Sequence, residues 1–228
     1  MPEVDENGTP DYVWKARAEA ATADALLSTA KARRALAEAE KEELVLDSER
    51  IVKAELLASD DYNHVFRFSQ QVDSGSVQRA INRLNVWRRV DPGCDITLIF
   101  TSPGGDVVSG MAFYDYLQDL KANGHRLTTV AQGMAASMAG ILLQAGDVRV
   151  IGHESYLLIH QVQAGMMGSF GDLQDRMRWL DIVQDRILDI FAARSKLSRA
   201  KIKVNWTRTD WWIDSAKALE YGFVDQVR

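Results

Sequence analysis

The segment Gly133 to Gly140 places one hydroxyl, that of Ser137, among mostly small residues. The extended stretch Leu127 to Val130 precedes it and the apolar run Met138 to Gln144 follows it. This pattern predicts a strand, a tight turn and a helix with Ser137 in its first turn. Free N–H groups and the helix dipole favour negative charge there, as acyl transfer requires. The alternative is a buried serine in an Ala/Gly packing contact at a helix start.

A serine nucleophile needs a general base, and the base needs a group that orients it. Among the four histidines, His160 is the candidate base because it closes the apolar run Tyr156 to Ile159 and precedes a glycine-rich stretch. Open α/β sheets keep their sites at such strand ends. His64, His125 and His153 have ordinary explanations, as residues before a strand or in turns. The chain contains 32 Asp and Glu residues, so spacing alone does not choose the third group.

The third group, the acid, is identified instead by a resemblance that rests on five motifs. The motifs are Ser102-Pro103-Gly104-Gly105, Gly133 to Met138, Ile159-His160-Gln161, Thr209 to Trp212, and Glu220 to Asp225. In this order they resemble the ClpP family of serine peptidases, over about residues 64–228.

The resemblance implies a role for each matching residue. Ser137 corresponds to the family's nucleophile, His160 to its general base and Asp210 to the acid that orients the base. The backbone N–H groups of Gly105 and Met138 correspond to the family's oxyanion hole. The resemblance therefore implies a serine endopeptidase whose peptidase core needs no ATP of its own.

Physical reasoning from the residues alone leaves two of these positions open. Gly105, after Pro103, can present an N–H to a ligand without a side chain in the way, but any strand-to-helix connection can also need glycine. Asp210 could instead cap a helix over Trp211 to Tyr221. We expect the neighbouring Asp214 to lie on the face of that helix.

Strand and helix patterns alternate along most of the chain and predict an α/β fold with a mostly parallel sheet. The resemblance implies the ClpP/crotonase superhelix of strand-strand-helix units. We expect residues 1–10 to form a disordered tail, 11–60 a helical extension and 61–228 the peptidase domain. The predicted elements include strands Val65–Phe68 and Ile96–Thr101, and helices Asp11–Ala58, Ser76–Val90, Asp106–Ala122 and Phe170–Lys196.

The predicted N-terminal helix has a thin apolar stripe made mainly of alanines. Such a stripe favours packing on another element or pairing with a partner chain. The alternative is a solvated helical linker.

Composition excludes several classes of protein. The formal net charge of -5 argues against a nucleic-acid binder. A single cysteine, Cys94, allows no internal disulfide and fits a reducing compartment. The chain has no apolar run of membrane-spanning length and no secretory signal, so we expect a cytoplasmic protein. We find no Cys/His cluster with metal-ligand spacing and no nucleotide-type glycine loop, so we expect no metal or cofactor.

The resemblance also implies partners. The family forms heptameric rings, alone or stacked, that take unfolded proteins or peptides from a hexameric AAA+ unfoldase. Three features differ: the long charged helix replaces a short axial-loop region, Thr209 replaces a common arginine, and Val162 replaces a frequent proline. Because of these differences, unfoldase docking is the family property that the resemblance supports least for this chain. The same differences also suggest a divergent branch, such as a phage-type peptidase that processes particle proteins.

The glycine-rich stretch Gln161 to Gly171 has two interpretations. It suits an edge to which a peptide adds as an extra strand. In the family, it and the next helix form a handle that interlocks two rings. Several large apolar residues would either serve that contact or pack in the chain's own core: Met166, Met167, Phe170, Met177 and Trp179.

Two other functions remain open. A crotonase-type acyl-CoA enzyme would share the fold and the oxyanion hole, and a non-catalytic ring or shell protein would share the fold alone. The Ser-His-Asp set favours the peptidase.

Overall fold

The computed structural model describes residues 6, 10–163, 165 and 167–228. Most of the predicted tail and Met166 of the predicted handle lie outside these residues. The chain divides into two compact units, Met1–Ala58 and Ser59–Arg228. In the described residues, every helix is too short or too polar to cross a membrane.

The first unit contains one long helix, α1 (Asp11–Ala58), which confirms the predicted N-terminal helix. Its sequence has no glycine or proline and is rich in Ala, Glu, Lys, Arg and Leu, which all favour helix. Ion pairs one turn apart add local support, as between Arg34 and Glu38 at 3.0 Å. None of its residues is buried. Its helicity therefore rests on local interactions.

The second unit is α/β, as predicted, and its described residues form seven strands. The elements are β1 (Val65–Phe68), α2 (Ser74–Val90), β2 (Ile96–Ser102), α3 (Val107–Ala122), β3 (Leu127–Ala136), α4 (Met138–Leu143), β4 (Val148–Ile151), β5 (Tyr156–Ile159), α5 (Phe170–Ala193), α6 (Arg199–Trp206), β6 (Trp211–Asp214), α7 (Ser215–Tyr221) and β7 (Gln226–Val227). The predicted helix over Trp211 to Tyr221 is wrong in its first half, since Trp211–Asp214 forms a strand.

Five strands form a parallel sheet in the order β1-β2-β3-β4-β7. Strand β5 pairs with β3 in parallel and with β6 in antiparallel. Parallel neighbours need crossover connections, here mostly helices, which cover the sheet and explain its apolar strands. Fully buried aromatic side chains fill the core, including Phe68, Phe100, Phe113 and Trp206.

Strand β3 changes partner along its length. Residues 128–131 pair with β4, whereas Met134–Ala136 pair with β5. Between them, Gly133 adopts a φ of 75° and donates its N–H to Ser155 Oγ at 2.8 Å. The far end of β3 is therefore held between β2 and β5, through Ala135, which pairs with both Ser102 and Leu157. This end leads directly into the predicted nucleophile.

Candidate active site

Ser137 occupies a tight turn between β3 and α4. Its φ of 53° and ψ of -122° are unusual for a residue with a side chain, and such strained positions cluster at functional sites. The turn is held because Ser137 N–H donates to Leu158 O at 2.9 Å. Ser137 is the residue before the first turn of α4, one position earlier than predicted, and its side chain makes no capping hydrogen bond. The hydroxyl is thus not used by the helix.

The glycine loop after β2 is held by the segment before α2. Val72 N–H donates to Gly104 O at 2.8 Å, and Asp106 N–H donates to Val72 O at 2.7 Å. In this parallel bridge the N–H of Gly105 points away from Val72. A Cβ on Gly105 would lie 2.2 Å from Val72 O, and one on Gly104 would lie 2.6 Å from Ala136 O. Only glycine fits at either position.

Hydrogen bonds also fix the start of α3, directly after the loop. Asp106 caps this helix by accepting from the N–H and Oγ of Ser109, at 2.7 and 2.6 Å. Hydrogen bonds from the hydroxyl and the N–H of Ser109 lower the pKa of Asp106 despite its partial burial. Asp106 is therefore ionised at neutral pH and keeps the helix start next to Gly105.

One cavity of about 340 Å³ brings four of the five predicted residues together: Ser137, His160, Gly105 and Met138 all line it. As the first residue of α4, Met138 has an N–H without an intrahelical acceptor. The rest of the lining combines the glutamines Gln71, Gln161 and Gln163 with apolar side chains: Pro103, Val107, Ile141, Ile159, Val162, Ile187 and Phe191. Such a cavity can receive an apolar side chain next to a reacting carbonyl.

The β5–β6 register decides where the predicted acid lies. Ile159 pairs with Trp211 in this antiparallel ladder, so the next position places Asp210 opposite His160. Both residues line a second cavity that adjoins the first at His160. Asp214, the other acid of this segment, lies at the far end of the strand opposite Tyr156. It caps α7 by accepting from Lys217 N–H at 2.8 Å, so the expected helix-face position is wrong.

The side chains of Ser137, His160 and Asp210 line adjoining cavities without hydrogen bonds between them in the described residues. Among the described residues, no hydrogen bond joins His160 to Ser137 or to Asp210. The Nδ1 atom of His160 is buried and has no partner in this part of the chain. A buried nitrogen without a hydrogen-bond partner costs free energy. A hydrogen bond from this nitrogen to an acceptor on the facing strand would therefore be favourable.

Sequence reasoning missed a side chain that ties the two strands together. Gln161 Oε1 accepts a hydrogen bond from Arg208 N–H at 2.8 Å, which links the residue after His160 to the loop before Asp210. Arg208 has a φ of 59°, so the loop turns sharply at this bond. The glutamine of the Ile159-His160-Gln161 motif was the signal that could have pointed to it.

The predicted handle presents apolar surface. Met167, Phe170, Met177 and Trp179 are all exposed, with 88% and 77% exposure for the first two. Packing of these residues in the chain's own core is therefore wrong. The described residues between Gln161 and Ser169 form no strand, so the predicted peptide-binding edge is not preformed there.

Fold and site together define an α/β protein with a serine and a histidine at one cavity. A family model described as Clp protease matches residues 54–228. Relatives named ATP-dependent Clp protease proteolytic subunit include one from Bacteroides fragilis, 33% identical over 69% of this chain and 75% of its own. One from Deinococcus radiodurans is 32% identical over 68% and 76%. Proteolytic subunit 2 from Tropheryma whipplei is 38% identical over 60% and 76%. The chain belongs to the Clp protease family.

Proposed function

We propose that this chain is a serine endopeptidase in which Ser137, His160 and Asp210 form the catalytic triad. One observation carries the proposal: Ser137 and His160 line the same cavity, and the β5–β6 register places Asp210 opposite His160. The family and the names of the relatives support the same reaction class.

In the proposed mechanism, Ser137 Oγ attacks the carbonyl carbon of a peptide bond while His160 accepts its proton. Asp210 accepts a hydrogen bond from His160 Nδ1–H, which fixes the tautomer and stabilises the imidazolium. The N–H groups of Gly105 and Met138 stabilise the oxyanion. His160 then protonates the leaving amine, and a water molecule activated by His160 hydrolyses the acyl-enzyme and regenerates Ser137.

The lining of the cavity supports a preference for apolar side chains next to the cleaved bond. Ile141 and Ile187 come from α4 and α5 and lie on the same cavity as Ser137. We propose unfolded or particle-associated proteins as substrates, since an extended chain exposes both its backbone and its apolar side chains.

We further propose that the chain works in a closed ring, of heptameric or stacked type. The exposed apolar side chains of the handle support this assembly, since contiguous apolar surface usually marks an interface. Enclosure would restrict the Ser137 sites to unfolded chains. The relatives are named ATP-dependent, which supports an ATPase partner such as an unfoldase. We assign any ATP use to that partner and none to this peptidase core.

The test is labelling with a fluorophosphonate probe, combined with native mass measurement. We expect one label per chain, placed on Ser137 by peptide mapping and absent from Ser137→Ala, on a species of about six to eight subunits per ring. No labelling together with acyl-CoA binding would favour the crotonase alternative. A labelled monomer with no larger species would refute the ring and leave the triad intact.

A further inference from the structure

A second cluster of reactive side chains lies at the opposite edge of the sheet from Ser137. His64 directly precedes β1, and Cys94 lies in the turn before β2, so both stand at the amino ends of parallel strands. Ser137 follows the carboxyl end of β3. The potential ligand atoms of His64, Asp91 and Cys94 all lie within 4.8 Å of one another. The proposed peptidase chemistry uses none of them.

The sequence builds half of this cluster into one turn. Cys94 N–H donates to Asp91 O at 3.2 Å, and the two residues between them are Pro92 and Gly93. A type II turn requires a positive φ at its third position, where Gly93 has a φ of 79°. Proline is common at the second position of such turns, which Pro92 occupies. Asp91 and Cys94 are the first and fourth residues of this turn. The turn therefore brings the Asp91 carboxylate and the Cys94 thiol to the same side.

His64 lies in a separate turn, directly before β1. His64 adopts a φ of 52°, and its backbone carbonyl accepts from Thr97 N–H at 3.0 Å, which anchors it beside β2. Its ring packs edge-on against Trp87 at 5.4 Å between centroids. Its Nε2 lies 3.9 Å from Asp91 Oδ2. Two turns far apart in sequence are thus joined only by the fold, which is why spacing indicated no metal site.

The surroundings of the sulfur suit a cation. The carboxylates of Asp91 and Asp95 both place negative charge near Cys94. His125 is buried, and its Nδ1 lies 3.0 Å from Cys94 O and 3.6 Å from Cys94 Sγ. An N–H at this nitrogen would face both atoms, as outer-shell donors to a metal-bound thiolate do.

We propose that His64, Asp91 and Cys94 bind a Zn²⁺ ion, with water at the fourth position. Thiolate, imidazole and carboxylate are the three ligand types that Zn²⁺ accepts. Zinc bonds of about 2.0–2.3 Å hold tetrahedral ligands about 3.3–3.8 Å apart, so the cluster must contract by about 1 Å. Asp91 is exposed and can rotate toward the buried sulfur, and its exposure gives the ion a path from solvent. The ion would clip the amino ends of β1 and β2 together.

The test uses Co²⁺ as a spectroscopic substitute for Zn²⁺, in the full chain purified without a histidine tag. Cys94 is the sole cysteine, so a thiolate-to-cobalt charge-transfer band from one chain reports this residue alone. We expect one Co²⁺ per chain with intense visible bands of tetrahedral type, displaced by one equivalent of Zn²⁺.

Three variants and one control define the ligand set. Cys94→Ala should abolish the charge-transfer band, and His64→Asn and Asp91→Asn should each weaken Co²⁺ binding by at least about tenfold. Asparagine tolerates the positive φ of His64. Asp91 caps the end of α2 through its backbone N–H, which asparagine keeps, so both variants should fold. Asp95→Asn, next to Cys94 but outside the cluster, removes only a nearby charge and no ligand atom, so it should weaken Co²⁺ binding far less than Asp91→Asn does. Zn²⁺ should raise the thermal midpoint of the parent but not of Cys94→Ala.

Absence of the band in the parent would overturn the proposal. So would unchanged binding in His64→Asn and Asp91→Asn, or equal losses in Asp91→Asn and Asp95→Asn. Fluorophosphonate labelling of Cys94→Ala should equal that of the parent, so the zinc site and the peptidase site can fail independently.

Discussion

The two units of this chain are stabilised by different physics. Helix α1 has 48 residues and buries none of them, and the interactions described within it are short-range, such as the pair Lys15–Asp11 at 3.1 Å. Residues 59–228 bury an apolar core around a seven-stranded sheet, counting the described residues. Exposed ion pairs one turn apart contribute about 0.3–0.5 kcal/mol each, whereas a fully buried large apolar side chain contributes about 1.5–3 kcal/mol.

The comparison predicts where the chain tolerates change. In α1, one substitution alters only its own turn. In the second unit, residues from several elements converge at the Ser137 cavity, so one substitution affects partners far away in sequence. We therefore expect the strongest effects at the groups that react with substrate and the weakest in α1.

Replacement of the proposed nucleophile should have the strongest effect. Ser137→Ala should lower peptide hydrolysis by about 10⁶-fold, the effect of losing the nucleophile in known triad enzymes. Alanine is strained at the φ of 53° that Ser137 adopts, so Ser137→Gly is the companion variant that relieves this strain. Ser28→Ala on α1 is the control and should hydrolyse peptide at the parent rate. Activity retained by both Ser137 variants would contradict the assignment.

The two acids of β6 and its flank should differ sharply. Asp210→Asn should lower kcat by about 10⁴-fold, because the amide favours the wrong imidazole tautomer. Asp214→Asn should be nearly neutral, since asparagine caps a helix as well as aspartate does. Steady-state kinetics with one fluorogenic peptide distinguishes them. If Asp214→Asn were the damaging change, the assignment of Asp210 as the orienting acid from the β5–β6 register would be wrong.

The glycine loop that holds the proposed oxyanion donor Gly105 should tolerate no side chain there. Gly105→Ala would place a Cβ 2.2 Å from Val72 O and displace the proposed N–H donor. We expect kcat to fall by about 10²–10³-fold, the usual effect of losing one oxyanion donor. Gly124→Ala is the matched control, because Gly124 also has a positive φ but has open space at its Cβ position. Equal losses in both would show that backbone strain, not the loop contact, is responsible.

Acid should destabilise the second unit partly through Asp225. Burial alone would raise the pKa of this carboxyl, but hydrogen bonds from the side chain and N–H of Arg149 lower it overall. Since the pKa is lower folded than unfolded, Asp225 stabilises the fold above its ordinary pKa of about 3.9 and loses this effect as pH falls below it.

Urea unfolding between pH 7 and pH 3, at fixed protein concentration, measures this contribution. Asp225→Asn should lower the unfolding free energy at pH 7 by about 1–3 kcal/mol, because Arg149 is buried and loses a charged partner. The difference between variant and parent should shrink as the pH falls. A difference that stays constant with pH would assign the effect to packing.

Removal of most of α1 should affect the chemistry least. The family match begins at residue 54, and the second compact unit begins at Ser59. A chain of residues 54–228 should therefore hydrolyse small peptides at the parent rate. We expect ring stacking or degradation of protein substrates to change instead, measured by native mass and by casein digestion. Lost peptide hydrolysis in a folded truncated chain would show that α1 belongs to the catalytic unit.

Local sequence patterns were enough to predict several features of this protein. Uninterrupted helix formers predicted α1, and apolar runs separated by glycine turns predicted the α/β alternation. Five short motifs in one order, among them those around Ser102, Ser137 and His160, were sufficient to identify the family, because each is a local segment that can be read without the fold.

Relations between distant segments became visible only in the folded chain. The partner change of β3 at Gly133 holds Ser137 against β5, and the β5–β6 register separates Asp210 from Asp214, which sequence reasoning placed wrongly on a helix. The approach of His64 to Cys94 likewise depends on the pairing of β1 with β2. Strand pairing is a long-range contact whose partner and register do not follow from either strand alone, so local patterns could not supply it.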